Sequence, residues 1–409
     1  VQLRPYQEQG RDFLAARRHA LLADEMRVGK TPQAILAAHK IGAKSVAVLC
    51  PAVAVTHWER EFVKWWPQDG TPLPHRLIRS YDYARKYPDA FTSRTWDVFI
   101  PDEAHYAKNP EAARTKLVYG KEGIGWHAGH IWPLSGTPAP RHAGELWPML
   151  RAFGVVGLTY DDFVARYCYC APDRRILGTR EDRIPELREL LAKVMLRRTR
   201  AQVAPEIPRI SFEMLPVEPK VEKLADEMGY ELPTDPAAAA RWIEKNAAHL
   251  ADWRIFVARA KVPALTSEIA TALDGRLYRQ TIVFGYHTQP LVDLCNALRA
   301  EGKRAELLTG ATTRVNRDAI QERFRAGETE VICANLVAAG TAIDLSAAWH
   351  AYMLEMAWTP GDNLQAVNRI VSLDKVRPSS VDIVTWAGSF DDKIQAVLMR
   401  RVRELDALY

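Results

Sequence analysis

Runs at residues 19–22, 45–49, 97–100 and 130–134 are short and almost wholly apolar. Continuous apolar runs of that length read as strands buried on both faces. Between them, apolar residues recur three and four apart. Residues 3–14 place Leu3, Tyr6, Gly10, Phe13 and Leu14 at helical spacing, and a helix is expected at 31–39. Residues 56–65 put Trp58, Phe62 and Trp65 on one helix face. Strands alternating with helices predict a parallel sheet covered on both sides.

The rhythm stops at Gly144. Residues 145–153 and 184–196 read as helices of an insertion spanning 144–200. Residues 205–236 are rich in proline and acid and read as a connection, with a short helix at 221–228. Asp235-Pro236, an N-cap followed by a first-turn proline, starts a helix expected to reach residue 260. Alternation resumes from Lys261, with strands at 281–284, 305–308, 330–334 and 380–386. Helices are expected at 290–298, 315–324 and 391–406. The expected fold class is α/β: two parallel-sheet lobes, at 1–205 and 263–409, with a helical insertion in the first and a linker with a helical segment at 206–262.

Composition changes little in this picture. With 409 residues, 48% of them hydrophobic, two medium domains with ordinary cores are expected. The net charge of +5 permits a polyanionic partner without requiring one. Five cysteines, with only Cys168 and Cys170 close together, lack the spacing of a zinc site, so no structural zinc is expected. Reduced thiols point to a cytoplasmic protein, or a nuclear one in a eukaryote. The longest apolar run, residues 46–55, contains Pro51 and is about half a membrane span, so no membrane is expected. No leader pattern precedes the first strand. The chain opens on Val1 rather than Met, as a trimmed chain would.

The candidate chemistry sits where the apolar runs end. Residues 19–22 lead into Ala-Asp-Glu-Met-Arg-Val-Gly-Lys-Thr, residues 23–31. Gly29-Lys30-Thr31 at a helix start is the phosphate-gripping end of a P-loop: backbone N–H groups and the helix dipole attract anionic oxygens. Lys30 would reach the β and γ phosphates of ATP, and the Thr31 hydroxyl would hold Mg²⁺. Arg4 and Gln7 precede this loop, where an amide could read an adenine edge. Residues 97–100 lead into Asp102-Glu103-Ala104-His105, with Asp102 placed to take Mg²⁺ through water and Glu103 to polarise the attacking water. Residues 130–134 lead into Ser135-Gly136-Thr137, a small polar turn that, with His105, could couple the two. Three such motifs in this order, each after an apolar strand, identify a nucleotide hydrolase far more specifically than any one of them.

The series resembles the motor of superfamily-two helicases, and more narrowly the SWI/SNF-type DNA translocases. LLADEMRVGKTPQAI, VLCPAVAVTHWEREFVKW, SYD, PDEAHYAKN, PLSGTPAP and MLRRTRAQVAPEIP match that family's successive motifs, and the likeness covers nearly the whole chain. AKVPAL, IVFGYH, LLTGATT and the stretch 344–369 resemble its second lobe, with the annealing-helicase (HARP-like) branch as the nearest likeness. The resemblance implies two RecA-like lobes with ATP at their interface, completed by Gln365 and Arg369, and stepping along duplex or branched DNA. It implies that Thr309 and Gly310 hold a DNA phosphate, and that Arg197 and Arg198 belong to a brace between the lobes and contact DNA. The arginine-studded insertion, from Arg166 to Arg188, would touch phosphates too. That branch's accessory DNA-binding domain does not fit in this length, so a minimal phage or bacterial form is expected.

Four positions depart from the family pattern. Arg27 stands where the phosphate loop has a glycine, and Ala342 replaces a glycine of the fifth motif. Ser372 stands where an arginine finger is expected, followed by Asp374 in place of a glycine. Such a finger is worth about a thousandfold or more in rate. Two readings follow: a slow ATPase in which Arg27, Lys375 or Arg377 supplies the missing charge, or a weakened motor that binds branched DNA with little hydrolysis.

Overall fold

The computed structural model describes residues 2–205, 210–219, 250–339, 344–371, 375, 377–389 and part of 391–399. The chain divides into two compact units, residues 1–205 with 401–409, and 206–400.

In the first unit, four strands form a parallel sheet in the order β3-β2-β4-β5: β2 (Ser45–Cys50), β3 (His75–Ser80), β4 (Trp96–Pro101) and β5 (Ala128–Ile131). Beyond β5, β1 (Leu21–Leu22) is bridged to Ile131 and Leu134 through His19 and Leu22. On its other side β1 pairs in parallel with β8 (Met195–Leu196). Every residue of β2 is buried, as a central parallel strand requires. Its side chains divide by the two-residue period: Ala47 and Leu49 enter a core with Leu21, Trp96 and Phe99, while Val46 and Val48 enter another with Leu22, Trp58 and Trp132. The sheet is thus covered on both faces; the strands expected near 45–49, 97–100 and 130–134 are found, and the edge strand β3 was not expected.

The insertion differs from expectation. Its helices are Trp147–Ala152, Tyr160–Tyr167 and Ile184–Ala192. Between the last two lies an antiparallel hairpin, β6 (Cys168–Cys170) with β7 (Ile176–Thr179), whose turn puts Arg174 at φ 65°. Residues 195–196 are β8 rather than the end of a helix, because their backbone pairs with β1. The arginines of the insertion are largely matched by neighbouring acids. Arg166 meets Glu186 at 2.8 Å, Arg180 meets Asp182 at 2.9 Å, and Arg183 lies 3.5 Å from Asp182 and 3.6 Å from Glu186. This is a solvated face of mixed charge, the acids of the insertion diluting its arginines.

The second unit has a six-stranded parallel sheet in the order β11-β12-β10-β13-β14-β9. The strands β10 (Thr281–Gly285), β11 (Ala305–Leu308), β12 (Val331–Asn335) and β14 (Ser379–Thr385) were expected. The central β13 (His350–Met353) and the edge strand β9 (Ile210–Pro216) were not. β9 pairs with β14 over seven positions, so the stretch read as linker begins with a strand of the second lobe. The helix Leu250–Asp274 runs through Pro263 instead of ending near residue 260. Ala258, Val262, Leu265 and Ile269 pack it on Val283, Tyr352 and Val384 of the sheet. Both findings move the boundary of the second unit back to residue 206. Lys261 on this helix is fully buried, and its ammonium donates to the Leu354 and Val384 carbonyls and to Asp391, at 2.7, 3.0 and 2.8 Å. Three acceptors for three donors, one of them anionic, let a buried charge be tolerated. The helices expected at 221–228 and from 235, and the end of the last helix, lie outside the described residues.

Candidate nucleotide site and its surroundings

Parallel α/β sheets carry ligands beyond the carboxyl ends of their strands. In the first unit those ends hold the three predicted motifs. β1 leads into the loop 23–29, and Gly29, at φ 81°, caps the helix Lys30–Lys40. Arg27 is also left-handed, at φ 66°. That conformation favours glycine, so a backbone requirement accounts for the glycine that the resemblance leads one to expect at this position. Lys30 folds back over the loop, donating to the Asp24 carbonyl at 2.8 Å and the Glu25 carbonyl at 3.2 Å. Burial lowers its pKa, opposed by Glu103, Asp24 and Asp102. Thr31 follows on the first turn of the helix.

β4 delivers Asp102 and Glu103 beside this loop. The Asp102 N–H donates to the Leu49 carbonyl at 2.7 Å, and the Tyr81 hydroxyl donates to the Asp102 carbonyl at 2.8 Å. One carboxylate oxygen accepts the Glu103 N–H at 3.0 Å. The other accepts the indole N–H of Trp58 at 2.8 Å. Glu103 takes φ 49°, turning the chain sharply so that its carboxylate stands 3.4 Å from His105 Nδ1. His105 Nδ1 also lies 3.2 Å from the Ser135 hydroxyl, which accepts the Thr137 N–H at 3.2 Å. His105, Ser135 and Thr137 therefore form a contact chain from the Asp102-Glu103 turn to the Ser-Gly-Thr turn. Gly136 lies under the loop: a Cβ there would stand 3.0 Å from Met26 Cγ.

One hydroxyl and one carboxylate beside a phosphate loop fit Mg²⁺, which keeps most of its waters and takes phosphate oxygens. Thr31 and Asp102 would hold it, and when bound it would neutralise charge on the β and γ phosphates. Among the described residues no group of three or more His, Cys, Asp or Glu is placed to hold a metal by itself. Burial and the adjacent Glu103 carboxylate raise the Asp102 pKa to about 6, against the Trp58 hydrogen bond and Lys30. Below that pH the free protein carries a protonated Asp102, which cannot serve a cation. The magnesium-dependent part of ADP affinity is expected to fall as pH drops below about 6. Titrating ADP with and without magnesium across pH 5–8 checks this; a flat profile would contradict it.

Several expected site residues have other partners. Gln7 is buried. Its carbonyl accepts the Arg4 N–H at 3.0 Å and its amide donates to the Val28 carbonyl at 3.1 Å, so it holds the phosphate loop in place. The Tyr6 hydroxyl donates to the same carbonyl at 3.0 Å.

Arg197 and Arg198, which the resemblance implies brace the lobes and contact DNA, have partners within the first unit. Arg197 donates to the Ala23 and Gly136 carbonyls at 3.1 and 3.0 Å. Arg198 makes a two-pronged ion pair with Asp24, which is fully buried, and also donates to the Tyr6 carbonyl and to Gln33 Oε1. These arginines stabilise the floor of the phosphate loop. Asp24, which displaces the first P-loop glycine, is the anchor of Arg198. Gly10 makes room for the knot: a Cβ there would come 1.7 Å from Gln33 Oε1 and 2.8 Å from Arg198.

In the second unit, Thr309 is buried and its N–H donates to the Thr312 hydroxyl at 2.9 Å. Its own hydroxyl accepts the Ala311 N–H at 3.3 Å, so only the hydroxyl proton and the exposed Gly310 backbone remain for a phosphate. Gln365 lies on the helix Pro360–Val367 and Arg369 on the short turn that follows. Lys375 is buried with its ammonium on the Ala348 and Ile370 carbonyls and 4.6 Å from the Trp349 ring centre. Burial lowers its pKa to about 8. These contacts hold the ammonium of Lys375, one of three candidates with Arg27 and Arg377 for the missing charge, within its own lobe. Ala342, Ser372 and Asp374 lie outside the described residues.

Sequence reading missed Trp58, Gln33 and Tyr81 as parts of the site. Trp58 was assigned to the core by its spacing, and its indole N–H, which must find an acceptor when buried, was the available signal.

The sheet, loop and paired carboxylates define a P-loop nucleotide hydrolase. The family profile described as SNF2-related domain matches residues 6–71 and 75–228, more than half of the chain, and the helicase conserved C-terminal domain profile matches 260–373. The chain belongs to the SNF2-related family, a SWI/SNF-type branch of the superfamily-two helicases, whose members are DNA-dependent ATPases. It is similar to the Xenopus tropicalis SWI/SNF-related matrix-associated actin-dependent regulator of chromatin subfamily A-like protein 1, at 25% identity over 98% of this chain and 44% of the relative. The mouse DNA annealing helicase and endonuclease ZRANB3 is also 25% identical, over 98% and 40%. The Bacillus subtilis putative ATP-dependent helicase/translocase YwqA is 25% identical over 97% and 47%. The chain thus spans less than half the length of these relatives. Among solved structures, the Sulfolobus solfataricus SWI2/SNF2 ATPase core in complex with dsDNA matches over 99% of this chain and 92% of its own, with 21% identity and a TM-score of 0.46.

Proposed function

We propose that this chain is an ATP-driven DNA translocase that remodels or anneals duplex or branched DNA without sequence preference. The observation that carries the reading is the convergence of Lys30, Asp102 and Glu103 beside one phosphate loop in a chain of this family. Family membership supports the ATPase, and the name of the DNA annealing helicase among the relatives supports DNA annealing. In this reading the loop N–H groups and Lys30 grip the phosphates, and Glu103 orients the attacking water and accepts its proton. The His105–Ser135–Thr137 chain reports the state of the site to the rest of the lobe. Arg369 is the residue of the sixth motif that would meet the γ-phosphate. DNA binding is mainly to phosphates and therefore steeply salt-dependent. Steady-state ATP hydrolysis without DNA, with linear duplex and with a synthetic fork tests the reading. Stimulation by DNA supports it, and the better stimulator names the substrate.

A second reading, a branched-DNA-binding protein with weakened hydrolysis, is favoured by Ser372 alone. Because Lys375 is engaged within its lobe, restoring the finger is informative. Ser372→Arg is expected to raise DNA-stimulated turnover at least about tenfold. Unchanged turnover in an active parent would show that another cation already stabilises the transition state.

A further inference from the structure

Trp58 lies on the helix Val55–Trp65, away from every motif that contributes to phosphate binding, and its side chain is fully buried. Its ring packs 6.1 Å from that of Phe62 in the core that also holds Val48, Ile100 and Leu134. Packing alone does not account for the indole N–H, which ends on Asp102 Oδ2 at 2.8 Å. Asp102 Oδ1 meanwhile accepts the Glu103 N–H at 3.0 Å. The two donors approach different oxygens, one from the helix and one from the turn. Together they remove the carboxylate's freedom to rotate about its last bond. Each oxygen keeps a lone pair, since a carboxylate has about four acceptor positions. A hydrogen bond to the charged form also favours that form over the protonated one.

We infer that Trp58 is a positioning residue for the nucleotide-bound cation: its indole N–H sets the orientation of the Asp102 carboxylate toward a metal-bound water. This rests on the nucleotide-site reading above and adds a residue to it. The role is specific to the cation-dependent part of nucleotide binding. It leaves the loop and Lys30, which hold the phosphates directly, unaffected.

The test measures ADP affinity in excess magnesium and again in EDTA. Three forms are compared: the parent chain, Trp58→Phe, and a chain with 3-benzothienylalanine at position 58. That residue keeps the bicyclic shape and lacks the N–H, so it separates the hydrogen bond from the packing. Both altered chains are expected to lose about tenfold of the magnesium-dependent gain in affinity, the scale of a hydrogen bond to a charged group, with affinity in EDTA unchanged. In an Asp102→Asn background the benzothienyl replacement is expected to have no further effect. The inference is overturned if the benzothienyl chain keeps the full magnesium gain, or loses affinity equally in EDTA. A parent chain that binds no ADP under either condition would instead overturn the nucleotide-site reading itself.

Discussion

Lys30→Ala is expected to reduce DNA-stimulated ATP hydrolysis by about a thousandfold, the upper range for removing one preorganised donor from a developing charge. Lys30 stands at the start of the helix that the loop feeds, where a cation meets the phosphates. Its ammonium rests on the carbonyls of Asp24 and Glu25, two acceptors on the loop that it can leave for a more strongly charged ligand. Losing those two bonds costs the fold a net contribution of about 1 kcal/mol per bond. The expected result is therefore a folded chain with an unchanged melting temperature to within a few degrees and almost no turnover. Initial rates at saturating ATP and duplex check it. Turnover within threefold of the parent would mean that this loop does not handle the transferred phosphoryl group.

Arg198→Ala should have the largest effect on stability. Asp24 has no exposed surface, and Arg198 supplies both of its guanidinium hydrogen bonds. Removing one partner of a buried pair leaves an uncompensated charge and costs about 3–5 kcal/mol. For a unit of this size that corresponds to a fall in melting temperature of roughly 6–20 °C. Gln33 alone, 3.4 Å from the Asp24 carboxylate, cannot replace a bidentate cation. The paired change Asp24→Leu with Arg198→Met should recover most of the loss, since replacing both partners by apolar groups is often neutral. Thermal unfolding of the two single variants and the double variant closes the cycle. The rival expectation, an arginine on DNA, predicts the reverse pattern: an unchanged melting temperature and a binding curve whose salt slope drops by about one.

The same pair shows where reading residues in order runs out. Asp24 and Arg198 are separated by 174 positions. A double arginine in a basic-looking stretch reads as a contact for phosphates because nothing nearby in the chain claims it. Only the pairing of β8 with β1 carries Arg198 under the phosphate loop. Hairpin β6–β7 and strand β9 were missed for a related reason. β6 and β7 are only three and four residues long and β9 is mostly exposed, so they lack the buried apolar run that marks a central strand, and what makes them strands is a partner's backbone. The helix Leu250–Asp274 runs past the expected end near residue 260 and through Pro263, since burial of one helix face against the sheet outweighs a local breaker.

What the chain order by itself determined is the class of fold and the place of the chemistry. Buried parallel strands need unbroken apolar runs. A phosphate loop needs Gly29, Lys30 and Thr31 at a helix start, and paired carboxylates must follow a strand to reach it. These are local requirements, legible wherever they fall. The tertiary structure decided which polar groups the protein keeps for itself: Gln7, Arg197, Arg198, Lys261 and Lys375 turn inward, and Trp58 turns from the core to Asp102. A side chain able to bind a ligand is equally able to satisfy a buried carbonyl or carboxylate. Which it does depends on what folding brings within about 3 Å, a distance that sequence separation does not encode.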